Sequence, residues 1–263
     1  NIKPVSKNLE IITFDVGNAD SFMIKTPQNK YFFIDTGKAA YKSVNSQAKI
    51  IMLKYLKDRG IKNIEGVIVT HFDNDHSGGT KDFILNTNIK TLYLNNDEQI
   101  TETAKEIFKT IDETKQSVKF VTNNNQIYTE PELSIKTFKA NSTGNDKGNE
   151  NSTITLLSYK NFDVLFMADA GIDSFEQVKE FIPENVEVLK VGHHGGPKVV
   201  DSKMLEHIHN KVSIISTGVN YFGHPNQGTL DTLRNTVILR TDNMNSLKIS
   251  SDGYFLQIEL LIK

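Results

Sequence analysis

Four apolar runs in this chain each end directly in a polar cluster that contains histidine or aspartate. The runs are G-V-I-V-T (66–70), F-D-V-L-F-M-A (162–168), V-E-V-L-K-V (186–191) and V-S-I-I-S-T (212–217). Their length and their content of β-branched residues predict buried strands. Functional groups in α/β folds collect at the carboxyl ends of strands, so the four clusters are expected to meet at one edge. The pattern therefore predicts an α/β fold with a site at that edge.

The remaining segments supply the elements around these strands. Strand-like runs at 9–16, 20–26 and 30–37 are joined by short turns, which predicts an antiparallel meander. Helical spacing of apolar residues marks 46–59 and 100–115, and further strands are predicted at 91–95, 118–122 and 154–159. The polar stretch 141–152 is expected to be a surface loop. Because this order of strands and helices occurs twice, we predict two sheets between outer helices in a single domain, residues 1–263, built from two similar halves.

The composition restricts the chemistry. None of the 263 residues is cysteine, so disulfides and thiol nucleophiles are excluded, and any metal must bind to His, Asp, Glu or Asn. The formal charge of −2 disfavours a dedicated nucleic-acid binder but leaves local basic patches open. No apolar run approaches the roughly 20 residues that span a membrane, and no signal peptide opens the chain. A soluble protein is expected, cytoplasmic or exported, because the chain begins at Asn1 and an upstream segment could have been removed.

The stretch T-H-F-D-N-D-H-S-G-G (70–79) is the densest cluster of possible metal ligands. A tight loop after a buried strand can turn its side chains toward a common point and bind two metals, one through His71 and Asp73 and the other through Asp75 and His76. The alternative for this segment alone is a solvated turn in which the histidines are incidental. Asp169 ends another strand, where its carboxylate could bridge two cations.

These motifs together resemble the metallo-β-lactamase superfamily, whose pattern combines H-x-[H/D]-x-D-H, an aspartate after a buried strand and a strand-ending histidine. Within that superfamily, the chain resembles the soluble hydrolase domain of the ComEC/Rec2 competence protein family. The matching segments are F-D-V-G-N-A-D (14–20), F-I-D-T-G (33–37), 70–79, N-E-N-S (149–152), F-M-A-D-A (166–170), L-K-V-G-H-H-G-G (189–196) and S-T-G-V-N-Y-F-G-H-P (216–225). The resemblance implies an αββα four-layer sandwich and a hydrolase that binds one or two divalent metal ions.

The resemblance also implies a ligand set. The expected metal ligands are His71, Asp73, Asp75, His76, Asp169 and His193. His193 is preferred over His194 because the related pattern H-[H/Y/W]-G usually coordinates through its first position. Asp73 stands where the superfamily usually has histidine, and N-E-N-S stands where another histidine is usual. Since harder oxygen ligands shift preference away from zinc, the candidate metals are zinc and manganese, with magnesium as a third.

Other residues are expected around the metals. Asp75 and His224 are the candidate catalytic residues, with His224 at the substrate rim, where an imidazole could protonate a leaving oxygen. The alternative is that Gly223-His224-Pro225 only forms a turn. His194, Asn220 and Ser152 are further candidates for metal or substrate contacts. Asp20 and Asp35 are expected to orient the ligands from behind, with turn residues as the alternative.

Three functions fit these expectations. The leading hypothesis is a phosphodiesterase or nuclease that uses a metal-activated water, with a phosphoester as substrate and DNA among the candidates. The second is an esterase that acts on a small or cell-wall phosphoester, which the lack of a basic bias favours. The third is a non-catalytic metal-binding module with this fold, which the ligand-poor His71 and Asp73 site would permit. No integral membrane segment is predicted, and the oligomeric state stays open.

Overall fold

The structure is a computed structural model that describes residues 8–41, 45–96, 101–143 and 147–261. Within these ranges, the strands in chain order are β1 (Leu9–Thr13), β2 (Phe22–Lys25), β3 (Tyr31–Ile34), β4 (Asn63–Val69), β5 (Asn88–Asn95), β6 (Val118–Val121), β7 (Asn125–Glu130), β8 (Leu133–Phe138), β9 (Ile154–Tyr159), β10 (Phe162–Phe166), β11 (Val188–Lys190), β12 (Val212–Ile215), β13 (Val237–Arg240), β14 (Ser246–Ser251) and β15 (Leu256–Leu261).

The helices alternate with these strands. A π-helical turn, Ala48–Met52, runs into α1 (Leu53–Asp58), and the further α-helices are α2 (Asn74–Ser77), α3 (Thr80–Asn86), α4 (Glu102–Thr114), α5 (Lys147–Glu150), α6 (Ile172–Val178), α7 (Ser202–Ile208), α8 (Gln227–Thr232) and α9 (Thr241–Met244). Short 3₁₀ turns cover Lys179–Phe181 and His193–Gly195. Each of these described helices has 13 residues or fewer, and none is long and apolar enough to cross a membrane.

The strands form two mixed sheets. The first has the order β15-β14-β1-β2-β3-β4-β5-β6, and the second has the order β13-β12-β11-β10-β9-β8-β7. Strands β3 to β6 run parallel to one another, as do β10 to β13, while the other neighbours pair antiparallel. The carboxyl ends of β3 and β4 in one sheet and of β10, β11 and β12 in the other carry the polar clusters. This topology places the clusters where the sequence pattern predicted a site.

Both faces of each sheet are apolar because each face is covered. Phe32 packs between the two sheets, whereas its neighbour Phe33 packs against the helical layer outside the first sheet, since successive strand residues point to opposite faces. Helices α1, α3 and α4 cover that outer face, and α6 and α7 cover the outer face of the second sheet. The αββα four-layer sandwich implied by the resemblance is confirmed. That residues 1–263 form one domain of two similar halves stays a prediction.

The segment 141–152 differs from the surface loop that was expected. Residues 144–146 lie outside the described ranges, but 147–150 form α5, and Asn151 and Ser152 are buried. The side chain of Asn95 donates hydrogen bonds to the carbonyl oxygens of Thr70 and Asn151, both at 2.7 Å. A polar sequence is therefore held in the interior because buried polar partners satisfy it.

Several strands have no clear signal in the sequence. Strand β7 reads N-Q-I-Y-T-E and lies at the edge of its sheet, so its pattern of exposure is polar and irregular. Strands β14 and β15 extend the first sheet next to β1, although they come last in the chain. Their pairing joins opposite ends of the chain, which local periodicity cannot report.

We predict that Phe166→Ala removes a main contact between the sheets. Phe166 in β10 packs against Phe22 in β2 with ring centroids 5.3 Å apart, and both side chains are 1% exposed. The free energy of unfolding should fall by about 3–5 kcal/mol, measured by urea denaturation of the metal-free protein. The matched control is Phe120→Ala, because Phe120 is 54% exposed and its loss should change stability by less than about 0.5 kcal/mol. Equal losses in the two variants would contradict the packing described.

Candidate metal centre

The candidate centre consists of two overlapping groups of ligand atoms at the carboxyl ends of the strands. One atom each of His71, His76 and Asp169 lies within 4.8 Å of the others, and the same holds for Asp75, His76 and His194. The Nε2 atom of His76 is 3.0 Å from Oδ1 of Asp169, and Nε2 of His71 is 3.9 Å from Oδ2 of Asp169. His76 therefore belongs to both groups, and Asp169 lies between them.

Among the described residues, the atoms that face this centre make no hydrogen bond of acceptable geometry, although Nε2 of His76 lies within hydrogen-bond distance of Oδ1 of Asp169. Buried atoms without such a bond include Nε2 of His71, His76 and His194, and Oδ1 of Asp169. Buried polar atoms in proteins are almost always paired, so four unpaired atoms at one point require an explanation. A set of imidazole nitrogens and carboxylate oxygens suits a divalent transition metal. These residues fit one or two divalent metal ions, which would satisfy all four atoms.

The other ring nitrogen of each histidine is held from behind. Nδ1 of His76 lies 2.8 Å from Oδ2 of Asp35, and Nδ1 of His194 lies 2.9 Å from the carbonyl oxygen of Ser216. Both acceptors require an Nδ1–H, which leaves the lone pair on Nε2 to face the centre. The histidines are thus oriented for metal binding by the surrounding protein.

His71 is oriented by hydroxyl groups rather than by a carboxylate. Its Nδ1 lies 3.1 Å from Oγ1 of Thr70 and 3.2 Å from Oγ of Ser152. The Thr70 hydroxyl donates its proton to Oδ2 of Asp35 at 2.7 Å, so its oxygen is free to accept from Nδ1–H of His71. Ser152 lies behind the ligand histidine, where it orients His71.

Asp20 lies behind the centre and is paired with a buried lysine. Lys190 is fully buried in β11 and forms an ion pair with Oδ2 of Asp20, while its ammonium donates to the carbonyl oxygen of Ala168 at 2.7 Å. Oδ1 of Asp20 is 3.5 Å from Nδ1 of His194, and Oδ2 is 3.8 Å from Nδ1 of His76. Asp20 also forms a group of close ligand atoms with Asp35 and His76, but Lys190 already neutralises its carboxylate, so the geometry favours a supporting position for Asp20.

The charges at the centre shift the pKa values of its members. Burial and the neighbouring charge of His76 lower the pKa of His71 to about 3, so its imidazole is neutral. Burial opposes protonation of His194 as well, but the carboxylates of Asp169, Asp20 and Asp75 raise its pKa to about 9. Burial alone would raise the pKa of Asp169, yet His76 and His194 hold that pKa well below its ordinary value. A cation that binds here would replace protons held by histidines.

The backbone at the centre adopts conformations that ordinary residues avoid. Asp35, Ala168, His193 and His194 have φ angles of 60°, 51°, 45° and 52°. Left-handed conformations of this kind cost on the order of 1 kcal/mol or more, and they cluster at functional sites. The carbonyl oxygen of Ala168 accepts hydrogen bonds from Nζ of Lys190 and from the amide of His193. These two bonds hold Ala168 in its left-handed conformation, directly before Asp169.

The two adjacent histidines occupy different positions. His194 is buried, and its Nε2 lies 3.5 Å from Oδ2 of Asp75. The His193 side chain is 32% exposed, with Nε2 3.8 Å from Oδ2 of Asp169, and it belongs to neither group of close ligand atoms. The geometry therefore favours His194 as the ligand, whereas the sequence pattern favoured His193. The pattern names a dipeptide, and only the turn of the chain decides which ring faces inward.

The remaining predicted residues lie at the open side of the centre. Asp73 precedes α2, is 46% exposed and places Oδ2 3.8 Å from Nε2 of His71, outside both close groups. Asp75 is 29% exposed and so reaches both the buried atoms and the open side. The His224 ring lies 5.1 Å from the His193 ring. The hydrogen bonds of the Asn220 side-chain amide within the described ranges stay in its own loop, to the backbone of Gly218, Phe222 and His224.

Sequence reasoning missed three residues that the centre uses. Thr70 and Ser216 act through a hydroxyl and a backbone carbonyl, and neither leaves a signal in a single sequence. Lys190 did leave one, because a lysine inside the apolar run V-E-V-L-K-V is unusual for a buried strand. A charged residue at such a position predicts a buried partner of opposite charge.

We predict that Lys190→Met destabilises the metal-free protein by about 3–5 kcal/mol, because it leaves Asp20 buried without its counter-charge. Lys190→Met combined with Asp20→Asn should recover most of this loss. Lys248→Met is the control, since Lys248 pairs with Glu259 at 2.6 Å but both side chains are partly exposed, and it should cost no more than about 1 kcal/mol. Urea denaturation measures all three. If the Lys190→Met variant is as stable as the Lys248→Met control, the ion pair of Lys190 and Asp20 does not contribute to the free energy of unfolding.

The comparisons with known proteins agree with this geometry. A sequence model described as the metallo-beta-lactamase superfamily matches residues 14–219. ComE operon protein 3 of Bacillus subtilis is 26% identical over an alignment of 265 positions, which covers 93% of this chain and 33% of that protein. Recombination protein 2 of Haemophilus influenzae is 28% identical over 212 residues, which cover 80% of this chain and 24% of that protein. The chain thus spans about a third or less of the length of these relatives.

Solved structures share the fold at low identity. Zn²⁺-bound PqqB from Methylobacterium extorquens has a TM-score of 0.59 at 10% identity, covering 88% of this chain and 97% of PqqB. CmlA, a diiron β-hydroxylase from Streptomyces venezuelae, has a TM-score of 0.57 at 9% identity, covering 96% of this chain and 54% of CmlA. The two curated relatives confirm the predicted resemblance to the ComEC/Rec2 family. The chain belongs to the metallo-β-lactamase superfamily, because the sequence model of that superfamily matches residues 14–219.

Proposed function

We propose that this chain is a metal-dependent hydrolase of phosphoesters, and specifically a phosphodiesterase or nuclease. The observation that carries the proposal is the set of unpaired buried atoms on His71, His76, His194 and Asp169, arranged in two groups that share His76. Two adjoining groups of this kind suit a pair of divalent metals. Their open side gives a substrate access, as a catalytic centre needs and a structural metal site does not.

The proposed ligands differ slightly from those expected from the sequence. We assign His71, His76 and Asp169 to one metal, with Asp73 as a further ligand from the open side. We assign Asp75 and His194 to the other metal, together with either His76 or Asp169. Zinc and manganese are the proposed metals, since the set mixes imidazole with carboxylate. Bound divalent metals would supply the Lewis acidity that polarises a phosphoryl oxygen and favours ionisation of water.

The residues of the chain would position the reactants. Asp75 reaches the open side, where it can accept a hydrogen bond from the attacking water and orient it. His193 and His224 border the same side, where a leaving group would lie. Burial and the charges of His193 and His194 lower the pKa of His224, so the ring is neutral at neutral pH. A neutral imidazole can donate a hydrogen bond to the leaving oxygen, and it would transfer a full proton only at acidic pH.

The phosphodiester preference rests on the relatives. One relative is named as a recombination protein, and nucleic acid is carried over from that name as the proposed substrate. The alternative of an esterase for a small or cell-wall phosphoester is supported by the net charge of −2, because strong phosphate-backbone binding usually needs a basic surface. A non-catalytic metal-binding module is the third possibility, and it would bind metal without turnover.

We predict that Asp169→Asn lowers both metal content and hydrolysis, because its carboxylate lies between the two groups of ligands. Metal content is measured by mass spectrometry after dialysis, and hydrolysis of bis-p-nitrophenyl phosphate is measured with zinc, manganese or magnesium. Turnover should fall by roughly 100-fold or more. Asp173→Asn is the control, since Asp173 is exposed in α6 and should keep both properties. Full metal occupancy in the Asp169 variant would remove Asp169 from the ligand set, and wild-type protein that binds metal without turnover would support the non-catalytic module.

We predict that His224→Ala keeps the metal and the melting temperature but lowers kcat. Loss of a hydrogen bond to a charged leaving oxygen should cost about 10- to 100-fold. If the ring also transfers a proton, the wild-type kcat should decline as the pH rises through the lowered pKa of His224, and the variant should lack that decline. Metal content, melting and turnover are measured on one preparation. Loss of metal would make His224 a ligand, and unchanged turnover would leave it as a turn residue.

A further inference from the structure

An exposed loop next to the metal centre presents apolar side chains to solvent. In the loop 218–224, Val219 and Tyr221 are fully exposed, and Phe222 is 76% exposed. Scattered exposed apolar residues are normal, but three within four positions of one loop form a patch. The centre described above does not use these three side chains.

The loop is held in place by its own hydrogen bonds. The amide of Asn220 donates to the carbonyl oxygens of Gly218 at 2.8 Å and His224 at 2.7 Å, and its oxygen accepts from the amides of Phe222 and His224, both at 3.1 Å. Gly223 has a φ of +74°, which turns the chain back toward the centre. A loop whose backbone is held in this way loses little backbone entropy on binding, so the positions from which its two rings project are already set.

The loop connects to the centre through a series of rings. The Phe222 ring lies 5.8 Å from the His224 ring, at an interplanar angle of 34°. The His224 ring lies 5.1 Å from the His193 ring, and Nε2 of His193 is 3.8 Å from Oδ2 of Asp169. A substrate that binds at the centre next to Asp169 would therefore extend along His193 and His224 toward the exposed ring of Phe222.

We propose that this loop is a stacking platform for an unpaired nucleobase next to the phosphodiester at the metal centre. The proposal rests on the proposed function, because it adds a base to the phosphodiester substrate. An exposed aromatic face suits a flat ring with a polar edge, and stacking contributes to the binding of single strands without regard to sequence. Bases in a duplex already stack on one another, so the platform selects unpaired nucleotides.

The affinity of the platform would come from stacking on the two rings. The formal charge of −2 supplies no overall attraction for a phosphate backbone, so Tyr221 and Phe222 have to account for a measurable part of the affinity for a single strand.

The test compares two pairs of adjacent aromatic residues. Tyr221→Ala combined with Phe222→Ala removes the platform. Tyr254→Ala combined with Phe255→Ala is the matched control, since these residues are 60% and 79% exposed at the turn after Ser251. That turn lies beside Leu9 at the start of β1, whereas the centre lies beyond the other end of β1. Melting temperatures establish that both double variants fold.

The binding probes are labelled single-stranded oligonucleotides of DNA and of RNA, titrated by fluorescence anisotropy against the metal-free protein. The platform predicts a Kd about 5- to 150-fold higher for the Tyr221 and Phe222 variant, and no change for the control variant. An oligonucleotide made entirely of abasic positions should bind the wild type and the platform variant equally, because it offers no base to stack. The DNA and RNA arms identify which nucleic acid provides the base.

Equal affinity of the wild type and the platform variant for every oligonucleotide would overturn the platform. If the platform variant also loses sedimentation on phosphatidylglycerol vesicles, the loop is a lipid contact instead. Neither measurement depends on hydrolysis. Failure of the wild type to hydrolyse bis-p-nitrophenyl phosphate with any of the three metals would instead overturn the proposed function, so the two failures are distinguishable.

Discussion

The centre depends on the hydrogen bonds of the Asp35 carboxylate. One oxygen accepts from the amide of Thr70, and the other accepts from the Thr70 hydroxyl and lies 2.8 Å from Nδ1 of His76. This buried group therefore orients His76 directly and His71 through Thr70. The carboxylate itself is held at the end of β3, where Asp35 has a φ of 60° and its amide donates to the carbonyl oxygen of Ile68 in β4. The parallel pair β3 and β4 therefore sets the geometry of the metal ligands, because it sets Asp35.

The centre concentrates buried charge, which the fold must offset. Lys190 and Asp20 form an ion pair in the interior, and the atoms that face the centre stay without hydrogen-bond partners. Such groups are costly in a protein interior unless they are paired, and burial of a pair seldom adds much stability. The arrangement is consistent with selection for a bound cation, with the apolar layers on both sides of the two sheets supplying the stability that the centre lacks.

Much of the architecture could be predicted because local patterns carry it. The strand-ending clusters predicted the edge at which the candidate site lies. The motif at 70–79 and Asp169 supplied the candidate ligands His71, His76 and Asp169, whose atoms the structure brings within 4.8 Å of one another. The choice between His193 and His194 could not be predicted, because it depends on left-handed turns at both residues and on an acceptor, Ser216, that lies 22 positions away from His194. The burial of Asn151 and Ser152 was missed for the same kind of reason, since Asn95 of β5 donates to the carbonyl oxygen of Asn151 and Oγ of Ser152 lies 3.2 Å from Nδ1 of His71.

The sequence by itself determined the residue types and their order: which strands are apolar, which clusters follow them, and that oxygen and imidazole ligands must bind any metal because cysteine is absent. These properties follow from composition and from spacing along the chain. Tertiary structure alone decided which nitrogen of each histidine faces the centre, that Lys190 neutralises Asp20, and that the aromatic loop 218–224 lies beside His193. Each of these depends on contacts between elements distant in sequence, and a hydrogen bond or an ion pair forms only where the fold brings its two partners within reach.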